Sequence, residues 1–365
     1  MRRWSRPAAA ERLLFPLAAL QAALIVPLSL HAMLGGNLAP SALSSPSGHA
    51  HELLFGFALA VVGGYLINRI PAGALWLLGA VWLAARLLFL CAPGSAVAAL
   101  MNGLFAALIA WYAAPQFLRA AKRWRNRVIG PVLIALSLSA ALYHLGGVTA
   151  QPLTVHLTLL LFALLMLLMG GRIIAPAVAG AIERAGGTLE ARVQPRIEAT
   201  LIVLLLAALL ARPWPGGQGL AGLLLLVAAL VAAVRLFRWQ PWRVRARPDL
   251  LCLLVGYGWL VVGTGLLGAA WAGGTLPPGT AIHGLTVGAM GTLTATVMSR
   301  VRLVRRRMDP SREWSTPVIT ALIAAAAALR VGLPFSEAAL WLAAANWSAA
   351  WLLVLTLMVR VSARH

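Results

Sequence analysis

The sequence is short of charge. Of its 365 residues, 11% are Asp, Glu, Lys or Arg, where a soluble domain carries about 25%. With 61% hydrophobic residues and a mean hydropathy of +0.87, too little polar surface remains to cover a soluble globule. Lipid must therefore solvate most side chains. Acidic residues are scarcest: nine, against 30 basic ones. No ladder of carboxylates crosses the apolar runs, which argues against a dedicated proton pump or ion-coupled transporter. Lysine occurs once, at Lys122. Cysteine occurs twice, and Cys91 and Cys252 are expected at opposite membrane faces, which excludes a disulfide between them and any CxxC centre. CxxCH, Walker A, GxSxG and GxGxxG motifs are absent, so c-type haem attachment and the common nucleotide and hydrolase sites have no footing.

What is present is apolar. Twelve runs are long enough to cross a bilayer: 13–34, 51–68, 73–91, 96–118, 128–147, 153–175, 197–212, 219–236, 250–271, 281–300, 316–332 and 337–359. Turn chemistry separates most of them, as in GGN at 35–37, RPWPGG at 212–217 and LPPG at 276–279. The expectation is an all-α integral membrane bundle of about twelve helices, a single polytopic domain over 1–365. The longest connection falls at about 176–196. The basic start followed by an apolar run of about 20 residues reads as a retained first span.

The net charge of +21 does not indicate nucleic acid, because the arginines cluster between apolar runs, where anionic lipid headgroups lie. Alternate connections hold 27 basic residues. The other side holds three, Arg86, Arg212 and Arg330. This asymmetry predicts that both termini are cytoplasmic. Trp4, Trp124, Trp239, Trp242 and Trp314 are expected at the inner edge, and Trp214 and Trp271 at the outer one.

The histidines share one side. With His365 set aside at the tail, His31, His49, His51, His144, His156 and His283 all fall, by their places in the runs, within roughly 5–8 Å of one plane near the outer face. Imidazole suits Fe, Cu and Zn. His49 and His51 open a run as Gly48-His49-Ala50-His51-Glu52. Two helical residues that far apart point about 200° from each other, so either His49 is in the loop or the two serve different centres. Glu52 can orient an imidazole, ligate a metal, carry a proton as a catalytic group, or simply complement a helix start. Arg86 either snorkels to the headgroups or pairs with an anion such as Glu52 or a haem propionate. Met33, Met101 and Tyr143 lie near the same level. Gly56, Gly63, Gly64, Gly284, Gly288 and Gly291 make small faces that permit close helix packing or leave room for a flat cofactor. The His51 and His283 segments are alike: each has Gly five residues after His and ends at an arginine, Arg69 or Arg300.

The stretches GHAHELLFGFALAVVGGYL (48–66), WLAARLLFL (82–90), ALYHL (141–145), GGRIIAPAV (170–178), RLFRWQPWRVRARPDLL (235–251) and IHGLTVGAMGTLTATVMSRV (282–301) resemble the NnrS family of bacterial inner-membrane proteins, in the family's order. The resemblance implies a protein with haem b and copper, linked to nitric oxide metabolism and nitrosative stress. His49, His51, His144, His283, Glu52, Arg86 and Arg172 match recurrent family positions. His31 and His156 have no clear counterpart. Two departures, Pro46-Ser47-Gly48 before the HAHE and Ala-Pro-Ala near 175–177, touch no expected ligand. Haem–copper oxidases and nitric oxide reductases offer a chemical analogy, but the chain lacks their His-His pair. The leading expectation is a redox or gas-binding protein, with quinol or a periplasmic donor supplying electrons. A copper or small-molecule transporter, and a non-catalytic sensor or assembly factor, are the alternatives.

Overall fold

The computed structural model describes residues 7–119 and 124–363. Arg2, Arg3, Trp4, Arg6, Lys122, Arg123, Arg364 and His365 lie outside them. The chain is 84% helical. Among the described residues, twelve helices are long and apolar enough to cross a membrane: α1 Glu11–Met33, α2 Pro46–Leu66, α3 Ala72–Cys91, α4 Ala96–Arg119, α5 Trp124–Leu145, α6 Gly147–Arg184, α7 Glu190–Ala211, α8 Gly217–Arg238, α9 Pro248–Trp271, α10 Pro278–Arg305, α11 Ser315–Gly332 and α12 Glu337–Ala363. The only paired strands among the described residues are β1 (Pro7–Ala8) and β2 (Ile70–Pro71), antiparallel and two residues each. The chain forms two compact units. One holds Met1–Leu159 with Trp351–His365, and the other holds Leu160–Ala350.

In the first unit, α1 and α2 meet through glycine. A Cβ at Gly63 would come within 2.3 Å of Ile109 and 3.1 Å of Leu14, and one at Gly64 within 2.6 Å of Phe15. In the second unit, a Cβ at Gly284 would stand 2.9 Å from the Gly263 backbone, one at Gly288 2.6 Å from Trp259, and one at Gly291 2.6 Å from Trp347. Protein therefore fills both glycine faces. Of the two readings of these residues, close packing is the one observed, and they hold no gap for a flat cofactor.

Three expectations need correction. The sixth helix is 38 residues long, starting at Gly147 and ending at Arg184. Hydropathy stopped counting at the last strongly apolar residue, but the backbone continues until Gly186, at φ +79°. There the amides of Gly186 and Gly187 donate to the Glu183 and Ile182 carbonyls, a left-handed stop that glycine accommodates. The long connection thus shrinks to 185–189. His156 therefore stands nine residues into its helix rather than three. Trp239 and Trp271, expected at the membrane edges, are packed inside the protein. Trp239 packs at 4.7 Å from the Tyr257 ring, and the Arg212 guanidinium lies 5.1 Å above the Trp271 ring.

Among the described residues, each unit contains one helix that passes into a π-helix. In α2, an α-helical Pro46–His51 passes into a π-helix at Glu52–Ala58. In α10, an α-helical Pro278–His283 passes into a π-helix at Gly284–Gly291. Both begin with proline in the first turn, and both change pitch at the residue after histidine. Such π turns are rare and collect at functional sites.

Candidate functional site

The start of α2 is built to present His51. The Ser45 hydroxyl accepts the Gly48 amide at 3.0 Å, with Pro46 in the first turn, a standard helix opening. Gly48 is required by space, since a Cβ there would lie 1.8 Å from the Ala42 carbonyl oxygen. His51 and Glu52 follow, and both are fully buried.

Five helices of the first unit converge on this pair. Arg86 on α3 donates through Nη1 to Glu52 Oε1 at 2.5 Å. Gln21 on α1 donates through Nε2 to Glu52 Oε2 at 2.5 Å. Arg86 Nη2 donates to Asn102 Oδ1 on α4. Asn102 is in turn held by donating to the Ala98 carbonyl at 2.9 Å. His51 Nδ1 lies 3.1 Å from Glu52 Oε1. On α5, His144 brings its Nε2 to 3.2 Å from His51 Nε2. An ionised carboxylate only accepts hydrogen bonds, so Glu52 selects the His51 tautomer with hydrogen on Nδ1. The Nε2 lone pair then points at His144. The charges of Glu52 and Arg86 cancel, so the network adds no net charge to a span. Arg86 Nε alone in this group is buried without a hydrogen-bond partner.

Aromatic rings enclose the imidazole. Phe89 stacks on His51 with centroids 3.7 Å apart and planes 15° from parallel, Tyr143 lies at 4.6 Å and Phe55 at 5.3 Å. Gly56 leaves the space that Arg86 and Gln21 occupy, since a Cβ there would meet Arg86 Nη1 at 2.7 Å and Gln21 Nε2 at 3.1 Å.

Of the residues singled out in the sequence, His51, His144, Glu52, Arg86 and Tyr143 therefore come together. The snorkelling alternative for Arg86 is overturned, because its side chain is 3% exposed and tied to Glu52. The helix-start role for Glu52 gives way to this network. His49 is helical too, on the same α segment, so it faces about 200° away from His51 and the loop alternative lapses. The His31 ring covers Gly36. Met33 is exposed. His283 belongs to the second unit, at the end of its own α segment. Gln21 and Asn102 were not singled out. The clue was there: each is the one amide in an otherwise apolar stretch, 13–28 and 96–111. Among the described residues no three or more His, Cys, Asp or Glu are placed to hold a metal ion together.

The family model described as NnrS protein matches residues 8–365. The chain belongs to the NnrS family. A search of curated proteins finds no match. The resemblance to the NnrS family implies haem and copper. Two nitrogens on one small ion, each about 2.0 Å from it, stand up to about 4 Å apart, and the 3.2 Å of the His51–His144 hydrogen bond is within that reach. A macrocycle does not fit between His51 and His144, because Phe89 already lies against the His51 ring and the two Nε2 atoms face each other directly.

Proposed function

We propose that this NnrS protein binds nitric oxide at a histidine-ligated metal centre near the periplasmic face of the inner membrane, with copper and haem as its metals, and converts or sequesters the gas there. The observation that carries this reading is the buried network ending on the His51–His144 pair. Ionisable side chains within membrane spans are costly, and they are usually paired or functional. Five helices nevertheless contribute Gln21, Glu52, Arg86, Asn102 and two imidazoles to one point. The network ends on two imidazole nitrogens 3.2 Å apart, donors of a type that suits copper and iron.

In this reading His51 and His144 hold the ion. Glu52 keeps the proton on His51 Nδ1, as carboxylates do for metal-bound histidines. Arg86 neutralises Glu52, and Phe55, Phe89 and Tyr143 exclude water while admitting a small apolar gas. Haem, when bound, would supply an iron that takes nitric oxide and exchanges single electrons, and His49 and His283, in different units, are each a family-matched imidazole for such a group. Electrons come from quinol or a periplasmic donor. The 27-to-3 split of basic residues supports cytoplasmic termini, which sets the network's end of α2 towards the periplasm.

The test is a visible spectrum of the detergent-purified protein in its oxidised, dithionite-reduced and nitric-oxide-treated states. A Soret band that moves with nitric oxide supports the reading. A flat spectrum from cells supplied with haem precursor and copper refutes it and favours a transporter. A Soret band without turnover under any reductant restricts the function to sequestration or sensing.

A further inference from the structure

We infer that Arg235 and Tyr257, buried side by side in the second unit, form a binding site for a small monovalent anion of the size of chloride or nitrite. Neither residue takes part in the His51 network.

Arg86 and Arg235 are both 3% exposed, but only one is neutralised. Arg86 has Glu52. Among the described residues no Asp or Glu pairs with Arg235. Its Nη1 donates to the Leu167 carbonyl of α6 at 2.8 Å, and its guanidinium lies 5.3 Å from the Trp239 ring centroid. Its place in the last turn of α8 adds the negative end of the helix dipole. These contacts ease the charge but leave donors over. Arg235 Nε is buried without a hydrogen-bond partner, and so is the Tyr257 hydroxyl. Tyr257 comes from α9 and lies beside Arg235, with its ring 4.7 Å from that of Trp239.

The sixth helix is cut to bring these donors together. A Cβ at Gly171 would collide with Arg235 Nη2, and one at Gly170 would lie 2.7 Å from Tyr257 Cε2, so larger residues there would push the guanidinium and the phenol away. A buried donor without an acceptor and a buried charge without a counter-charge are each costly, and ionisable groups inside spans are usually paired or functional. One ligand that accepts two hydrogen bonds and carries one negative charge answers both. A cation is repelled, and a neutral acceptor leaves the charge in place. The walls set the size. Trp239 and Tyr257 are fully buried, and the α6 backbone closes a third side. A halide or a triatomic oxyanion suits that enclosure, whereas a lipid phosphate with its ester chains does not. Because the donors come from α8 and α9 and the guanidinium is already tied to α6, a bound anion fastens three helices at one point.

The experiment is chloride NMR line broadening with the full-length, detergent-purified protein dialysed into gluconate, alongside thermal unfolding in the same buffers. The wild-type chain is expected to broaden the chloride line saturably, and nitrite to displace the chloride. Either anion should raise the unfolding temperature over gluconate at equal ionic strength. Chloride and nitrite are titrated separately, and the tighter binder names the ion. Tyr257→Phe keeps the ring, removes one donor and should weaken binding about 10–100-fold, as the loss of one hydrogen bond to a charged group does. Arg235→Met should abolish both the saturable broadening and the stabilisation. Should methionine prevent folding, Tyr257→Phe decides alone. Arg238→Met, which removes an exposed arginine from the same turn, should change neither. Broadening that is equal in the wild type, Tyr257→Phe and Arg235→Met overturns the proposal and assigns the ions to surface arginines. Displacement of chloride by phosphatidylglycerol but not by nitrite overturns it in favour of a lipid site. An unfolding temperature that is the same in chloride, nitrite and gluconate overturns it as well.

Discussion

Breaking the Glu52–Arg86 pair should destabilise the protein far more than removing both partners. The pair spans 2.5 Å, with side chains 0% and 3% exposed. Arg86→Met leaves the carboxylate with Gln21 and His51 but no cation. Glu52→Gln leaves a guanidinium facing an amide. Removing one partner of a buried pair costs about 3–5 kcal/mol, whereas replacing both is often close to neutral. Each single variant should therefore lose about 3 kcal/mol, and the double variant markedly less than their sum. The coupling energy should reach about 3 kcal/mol, at the top of the range for residues in contact. Equilibrium unfolding in mixed SDS–detergent micelles, followed by the fluorescence of the 14 tryptophans, measures it. Losses that add to within about 0.5 kcal/mol, as independent sites do, would refute the account of the network.

The remaining predictions use other features of the fold. Gly56→Ala pushes a methyl against Arg86 and Gln21, at an overpacking cost of about 1–3 kcal/mol, and should weaken copper binding in a competitive Cu(I) titration. Gly284→Ala meets the Gly263 backbone and should cost a similar amount in unfolding assays without touching copper, since it lies in the other unit. The Ser311 amide donates to Asp309 at 3.0 Å and, with nearby arginines, holds the Asp309 carboxyl below its ordinary value of 3.8. A depressed folded-state carboxyl stabilises above the unfolded value and loses that contribution as pH falls through the folded one. Hydrogen exchange at Ser311 should therefore stay protected near neutrality and speed up only in strong acid, and Asp309→Asn should weaken the protection at neutral pH. A fluorescent protein fused to the C-terminus should mature and fluoresce in the cytoplasm, and darkness there would invert the orientation drawn from the arginine asymmetry.

The span count was legible because spanning a bilayer demands a length of apolar chain, and nothing else in the sequence imitates it. Helix ends were less legible. The sixth helix ran on to a glycine stop because helix formation needs no hydropathy once the chain leaves the lipid. At the site, His51, His144, Glu52 and Arg86 stood out as ionisable groups in apolar runs. Which of them meet depends on the packing of five helices, and that is invisible in one dimension. Gln21 and Asn102 were overlooked because an amide carries no charge and signals nothing until its partners are known. The glycines were ambiguous for the opposite reason: a missing side chain announces space but not its occupant, which proved to be Arg86 with Gln21 in one unit and Gly263, Trp259 and Trp347 in the other.

The change of pitch after His51 and after His283 works as a phase shifter. Each residue advances an α-helix by about 100°, so one residue accommodated in a wider turn re-aims everything upstream relative to everything downstream. In α2 this lets the lower helix keep Gly63 and Gly64 against α1 while the upper turn directs His51 at His144. Deleting Ala58, which takes no part in the His51 network, would return the segment to ordinary pitch and rotate the imidazole about 100° relative to the helix below. The aim of the histidine and the fit of the span are thus set by separate stretches of one helix, and each can be retuned without disturbing the other.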